Sequence, residues 1–559
     1  MPRTWKLITL FVIAATLLTA CSGSEWVSIT PQALNTAAPR AVDPTVTAAP
    51  QPVIPSPGPT VPLPEMQATA EALVPVEDTP VVDSAAAQYV VVIVLDGFRP
   101  DYLELADMPN LRSLIDAGTS YSNAWVGALQ NNTPPGHVMI ATGSFPRRTG
   151  IIGHTWANLQ TGESFDLFSL EAVQYGEADT LVQSSGVPTL AGLVKDRYPD
   201  EMVAAVSAQK FYAAQALGVG PADVLLYMAG SNAEAYTLPQ TVQMESLRGR
   251  TPPGDFLADP DLRTHLIDPG DANALALLAA TRLVERFQPR ALLVNLPETD
   301  YYGHVSGKAG LAPVLEATDA ALGDLMNSYR QQGLFERTLW VITADHGMTL
   351  KENIIVPADL YAQTGVETAA DDATMLPEVR LTDITRAQPM AEALAASGAD
   401  GLLGAYARVV QDGRYFYQAA PTTQASLPPA LNDAFLYLLD TYAGLYSPDV
   451  VVASSGGAAF DETVESTGGT HNPINWADQH VLLVFSGAGV RPGNVSTAPA
   501  RLIDILPTLA RLMDLPVSNM DGIPLADALN NPLPEDVQQQ LESINAFGPL
   551  RDALAATGQ

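Results

Sequence analysis

A single cysteine in 559 residues, Cys21, leaves the chain with no possible internal disulfide, so packing and polar contacts must hold its fold. Basic residues are scarce as well: 28 Lys and Arg face 61 Asp and Glu, a formal net charge of −33. A surface of that sign repels phosphate backbones, which excludes a protein that coats nucleic acid. An anionic small substrate can then be held only where local positive charge overrules the global field, and bound metal ions are one source of it. No internal repeat is visible either, which sets aside solenoid and propeller architectures.

What is present begins with an export signal. Arg3 and Lys6 precede an apolar core from Leu7 to Leu18, too short to span a bilayer comfortably. It ends in "LLTAC", Leu17 to Cys21, which resembles the lipobox of bacterial lipoproteins, whose cysteine is lipidated and becomes the mature N-terminus. The expectation is a signal peptide over residues 1–21, lipidation at Cys21 and an extracytoplasmic protein anchored to the bacterial cell membrane. Residues 22–87, with stretches such as "APQPVIPSPGPTVPLP", have the composition of a disordered Pro/Ala/Thr-rich linker.

From residue 88 the pattern changes. Apolar runs at Tyr89–Leu95, Met202–Ala208, Ala291–Leu296, Leu339–Ala344 and His480–Phe485 read as strands buried on both faces. Helical patterns lie between them, at Ala272–Phe287 and Leu311–Gly333. This alternation predicts an α/β fold with a mostly parallel sheet and helices on both faces, one folded domain over 88–530. The region of about 357–449 breaks the rhythm and reads as an inserted or capping region, and 531–559 as a C-terminal helical tail.

Acids and histidines fall where such a sheet concentrates ligand-binding groups, beyond the carboxyl ends of strands. Asp96 follows the first run, Asp345 and His346 follow the fourth, and Asp300 and His304 lie i, i+4 just past the third. His471 sits in the glycine-rich "TGGTHNP". Three aspartates and three histidines suit two sites of mixed O/N ligands, as zinc accepts, and two cations can clamp the oxygens of a phosphoryl transfer. A nucleophile is then required. Thr133, in "NNTPPGHVMIATG", fits: its hydroxyl is fixed by Pro134 and Pro135, and it could cap a helix whose first amides help hold an anion.

"VIVLDGFRPDYL", "NNTPPGHVMIATGSFPRRTGI", "ETDYYGH", "ADHGMT", "GGTHNP" and "RLIDILPTLARLMDLP" resemble, in this order, the motifs of the alkaline phosphatase superfamily. The likeness runs from about Val90 to Leu529 and is greatest to the type I phosphodiesterase/nucleotide pyrophosphatase branch. It implies an alkaline-phosphatase-like core with two divalent ions, zinc the expected metal. Asp300, His304 and His471 would hold one ion, and Asp96, Asp345 and His346 the other. It implies Thr133 as a nucleophile that takes a covalent phosphoryl or nucleotidyl group, later released by water.

Two positions depart from relatives. His154 stands where many have an asparagine on a phosphate oxygen, and could donate a hydrogen bond or, protonated, add charge. Lys210 matches a substrate-binding lysine of phosphomonoesterases, but Tyr212 replaces the arginine that accompanies it, which argues against a preference for dianionic monoesters. His137 reads as support for the Thr133 loop, His265 and His480 as structural. A sulfatase is disfavoured, since no formylglycine precursor is present at the nucleophile.

The expected substrates are therefore small phosphodiesters or nucleotide pyrophosphates. A phosphomonoesterase or phosphonate hydrolase, and a non-catalytic surface lipoprotein that kept the fold for binding, remain alternatives; the oligomeric state is open. Cys21→Ser is expected to move the full-length protein from the detergent phase to the aqueous phase in detergent partitioning. Unchanged partitioning would rule out the lipid anchor.

Overall fold

The computed structural model describes residues 86–559 except 130–131, 159–161, 231–241, 247–255, 263–267, 368–376, 462, 464–466, 472–473, 517 and 559. The signal peptide, Cys21 and the linker as far as residue 85 lie outside the described residues, as does His265.

Nine strands form the main sheet: β1 (Tyr89–Leu95), β2 (Thr119–Tyr121), β3 (Val203–Ala208), β4 (Val224–Gly230), β5 (Val242–Ser246), β6 (Ala291–Leu296), β7 (Thr338–Thr343), β8 (Leu483–Gly487) and β9 (Asn494–Ser496). Their spatial order is β9-β2-β8-β7-β1-β6-β3-β4-β5. Apolar, β-branched sequence explains the centre. Val90 to Val94 are buried without exception, because helices cover both faces of a parallel sheet and leave no polar side to alternate with. β7, β1, β6, β3 and β4 run parallel, so their carboxyl ends share one edge.

The edges differ from the sequence expectation. The run at 480–485 becomes a strand only from Leu483, and it lies antiparallel to β7. His480 instead forms an isolated bridge to Trp125. β5 is likewise antiparallel to β4.

Among the helices are α1 (Thr133–Thr142), α2 (Phe211–Leu217), α3 (Asp271–Phe287), α4 (Glu298–Ser306), α5 (Leu311–Gln331) and α6 (Pro534–Ala555). The helical patterns seen at Ala272–Phe287 and Leu311–Gly333 correspond to α3 and α5 within two residues.

Residues 357–449 supply three strands of a second, antiparallel sheet, ordered Glu378–Val379, Val450–Ser454, Leu402–Gln411, Arg414–Ala419. Alternation along it separates two cores. Val450 and Val452 pack with Met390 and Leu394, while Val451 and Ala453 join Trp125, Val138 and Leu554. Val138 belongs to α1, so the helix that begins at Thr133 shares this second core. A buried pair fastens it: Arg408 Nη2 lies 2.6 Å from Asp449 Oδ1, and both side chains are almost fully covered. Arg408→Ala leaves that carboxylate unpaired, and a loss of about 3–5 kcal/mol is expected in denaturant unfolding.

Candidate active site

Four of the five strands of the parallel core deliver polar groups at their carboxyl ends. Asp96 follows β1, and Gly97 behind it adopts φ +68, a left-handed turn that glycine makes without steric cost. The Gly97 amide donates to Asp345 Oδ1 at 3.1 Å. Asp345 and His346 follow β7. Asp300 and His304 stand one turn apart on α4, after β6. His471 arrives from a distant loop because Thr349–Leu350 pairs antiparallel with Gly469–Thr470, and its ring stacks on His346 with centroids 3.9 Å apart.

Lys210 reaches the same place through an unusual turn. After β3 the Lys210 amide bonds back to the Ala208 carbonyl at 2.8 Å, with Gln209 between them at φ +64. That is a γ-turn, strained for a residue with a side chain. It aims Nζ at Asp300 Oδ2 (2.7 Å), Asp96 Oδ1 (3.0 Å) and the Thr133 hydroxyl (3.3 Å).

Thr133 is buried at the start of α1. It is the first helical residue, not the cap. Asn132 takes the cap position, with no side-chain capping bond. The expected amide cradle is also reduced, because Pro134 and Pro135 carry no N–H. What remains is the Thr133 amide and the positive end of the helix dipole.

The six Asp and His residues and Thr133 thus converge. His304 Nε2 and His471 Nε2 lie 3.3 and 3.6 Å from Asp300 Oδ1, and His346 Nε2 lies 3.6 Å from Asp96 Oδ1 and 3.4 Å from Asp345 Oδ2. His304 and His346 engage their Nδ1 atoms with the Gly469 and Gly347 carbonyls, both at 2.9 Å, which turns each Nε2 inward. Asp300 Oδ1, Asp345 Oδ2 and His346 Nε2 are buried without a hydrogen-bond partner. Unsatisfied O and N donors facing one another are what a divalent ion would satisfy, so this set fits the ions implied by the resemblance. By proximity the donors gather as Asp300, His346, His471 and as Asp96, His137, Asp345, each within 4.8 Å. His346 thus stands between the two implied sets.

The charges follow from burial and proximity. Burial raises the Asp96 carboxyl, and Asp345 adds to that. Burial would raise Asp300 too, but Lys210 and His304 outweigh it and hold that carboxyl well below the usual range. Asp345 is likewise depressed against burial by His346 and His137. Burial opposes the Lys210 charge, yet Asp300 and Asp96 hold its pKa well above the ordinary value. His154 packs edge-on against Tyr212, ring centroids 4.7 Å apart. Removal from water, with Lys210 adding to it, pulls its pKa down to about 4. It therefore offers a neutral hydrogen-bonding ring at physiological pH, not an added charge. His480 lies apart, stacked on Trp476.

Residues 90–467 match the family described as type I phosphodiesterase / nucleotide pyrophosphatase. The chain belongs to this family, within the alkaline phosphatase superfamily. Among relatives, it is 27% identical over 284 residues to alkaline phosphatase PhoK of Sphingomonas sp, covering 42% of this chain and 50% of PhoK. It is 22% identical over 543 residues to alkaline phosphatase PafA of Elizabethkingia meningoseptica, covering 79% and 94%. The chain thus spans half the length of PhoK but nearly all of PafA. The crystal structure of wild-type PafA superposes with a TM-score of 0.61 at 18% identity, over 80% of this chain and 99% of that one. Murine ectonucleotide pyrophosphatase/phosphodiesterase 5, an inactive form in complex with AMP, gives 0.53 at 15%, over 79% and 100%. These likenesses establish the fold, an alkaline-phosphatase-like α/β core.

Two polar residues of the site escape motif reading. Ser207 and Asn295 interrupt the apolar strands β3 and β6, and both are fully buried. A polar side chain inside such a strand requires a partner, and that requirement was the available signal. Gly136 shows how tightly the parts fit: a Cβ there would meet the Asp345 carbonyl oxygen at 2.7 Å and its Cβ at 2.8 Å. Gly136→Ala is expected to cost about 1–3 kcal/mol and to displace Thr133 from Asp345. A melting curve paired with a phosphatase assay checks this, and a variant with wild-type turnover would refute the close fit.

Proposed function

We propose that this protein hydrolyses phosphate esters, with diesters or nucleotide pyrophosphates preferred, through a covalent intermediate on Thr133 at a site for two divalent ions, zinc the expected metal. The observation that carries the reading is the buried Thr133 hydroxyl, 3.3 Å from the Lys210 Nζ that also holds Asp96 and Asp300. Family membership supports phosphate-ester hydrolysis at that cluster.

In this reading Asp300, His304 and His471 hold one ion and Asp96, Asp345 and His346 the other. Bound there, the ions would neutralise charge on the phosphate oxygens and favour the ionised threonine. The chain's own residues do the rest. Pro134 and Pro135 fix the backbone so that the Thr133 oxygen is aimed before substrate arrives. As the Thr133 oxygen bonds to phosphorus, the bond from phosphorus to the leaving oxygen breaks; the hydroxyl proton is given up and the departing oxygen gains one. Water then attacks the threonyl phosphate, releasing the phosphate product and restoring the hydroxyl. The Lys210 ammonium lies where it can pair with a phosphate oxygen, and His154 can donate a hydrogen bond to another.

Tyr212 beside His154 favours diesters. A dianionic monoester gains most from a second, fork-shaped cation, and here an aromatic ring stands in its expected place. A phosphomonoesterase is the second reading, favoured by the alkaline phosphatases PhoK and PafA among the relatives. The anchor at Cys21 and an extracytoplasmic location complete the proposal: a surface-bound enzyme acting on small phosphate esters or nucleotides.

Thr133→Ala is expected to lower kcat on the order of a thousandfold or more while leaving zinc content unchanged. Wild-type kcat/KM is expected to be higher for bis-p-nitrophenyl phosphate than for p-nitrophenyl phosphate. A fully active Thr133→Ala variant would eliminate the nucleophile, and a strong monoester preference would favour the second reading.

A further inference from the structure

His137 lies one helical turn beyond Thr133 on α1 and is completely buried. Its Nδ1 is 2.8 Å from the Thr133 carbonyl oxygen and 3.2 Å from Asp345 Oδ2. Both are acceptors, so the ring hydrogen belongs on Nδ1. On the opposite side, Nε2 meets the amide nitrogen of Asn295 at 2.9 Å. That same nitrogen is 2.9 Å from Asp96 Oδ2, while Asn295 Oδ1 accepts from the Ser207 hydroxyl at 2.8 Å.

The Asn295 orientation is decided by Asp96. Turned over, the amide would set its oxygen against a carboxylate oxygen and leave Asp96 without that donor. Asn295 therefore gives one amide hydrogen to Asp96 and the other to the His137 Nε2 lone pair. Both His137 nitrogens are thereby engaged, although the ring lies among the donors of Asp96 and Asp345. Proximity makes His137 look like a ligand; its hydrogen bonds give it another task.

We propose that Asn295 and His137 form a positioning relay for one ion site and the nucleophile together. Asn295, carried on β6, fixes the tautomer of His137 and the rotation of Asp96. His137 then hydrogen-bonds the Thr133 carbonyl while its Nδ1 stays 3.2 Å from Asp345 Oδ2, setting the first turn of α1 in register with the carboxylates. Partners of this kind orient metal ligands from behind, and losing one commonly costs about 10–100-fold in metal affinity or activity. The inference rests on the two-ion reading above. His137 bonds the Thr133 carbonyl, whereas the Thr133 hydroxyl meets Lys210, so His137 is a positioning residue.

Two isosteres separate its ends. H137N retains an N–H near the Nδ1 position, whereas H137Q retains a group only near Nε2. The full-length protein, freed of metal and titrated with Zn²⁺ against a chromogenic chelator, should bind about 10–100-fold more weakly as H137Q, with most of the loss recovered in H137N. Asn295→Leu, which removes both amide hydrogens, should weaken binding like H137Q. Equal zinc affinity in H137Q and wild type overturns the inference alone; a wild-type chain that binds no divalent ion overturns the two-ion reading and the inference with it. Nitrogen NMR of histidine-labelled wild-type protein, with the resonance assigned by its loss in H137N, tests the relay independently of variant folding. An Nδ1–H tautomer supports it, and an Nε2–H tautomer overturns it.

Discussion

Three aspartates, Asp96, Asp300 and Asp345, are brought side by side out of water, where like charges repel and hydration no longer offsets them. Their surroundings answer that cost. Lys210 bridges two of them, four histidines face them, and backbone amides and the Asn295 amide cover part of the rest. The answer is incomplete, since ligand atoms on two of the three carboxylates remain without hydrogen bonds. A fold that tolerates such a cluster in a chain of net charge −33 reserves it for cations or for chemistry that needs them.

The parallel sheet is the reason the cluster can exist. Strands β1, β3, β6 and β7 end on one edge, and each contributes a charged group within a few residues of its last hydrogen-bonded position. The edge then dictates local backbone. Gly97 turns left-handed so that its amide meets Asp345, and Gln209 accepts a strained γ-turn that points Lys210 inward. Strain of that sort persists where neighbouring structure holds it, here the paired strands β3 and β4.

The sheet core and the cluster were legible because both leave simple marks: continuous apolar runs, and acids or histidines directly after them. Antiparallel edges left no such mark, since β8 is as apolar as the parallel strands. Asn295 and Ser207 were readable in principle as polar interruptions of buried strands, but their partners are far away in the chain. The state of His154 could not be read, because its burial against Tyr212 and its distance from Lys210 exist only in the fold. The amides lost to Pro134 and Pro135 were visible all along, and are a reminder that a helix start binds anions only through the N–H groups it has.

The short pairing of Thr349–Leu350 with Gly469–Thr470, together with the stacked rings of His346 and His471, has a topological consequence. The whole second sheet lies between these two points of the chain, so the contact acts as a clasp at the neck of a long loop. In an unfolded chain, bringing such distant positions together costs loop entropy, and elsewhere a disulfide is the usual way to remove it. This chain has no pair of cysteines to do so. Its closure of the loop is shared with the pairing of Asn353–Ile355 on Ala458–Phe460, so contacts that close the loop around the second sheet also align two histidines.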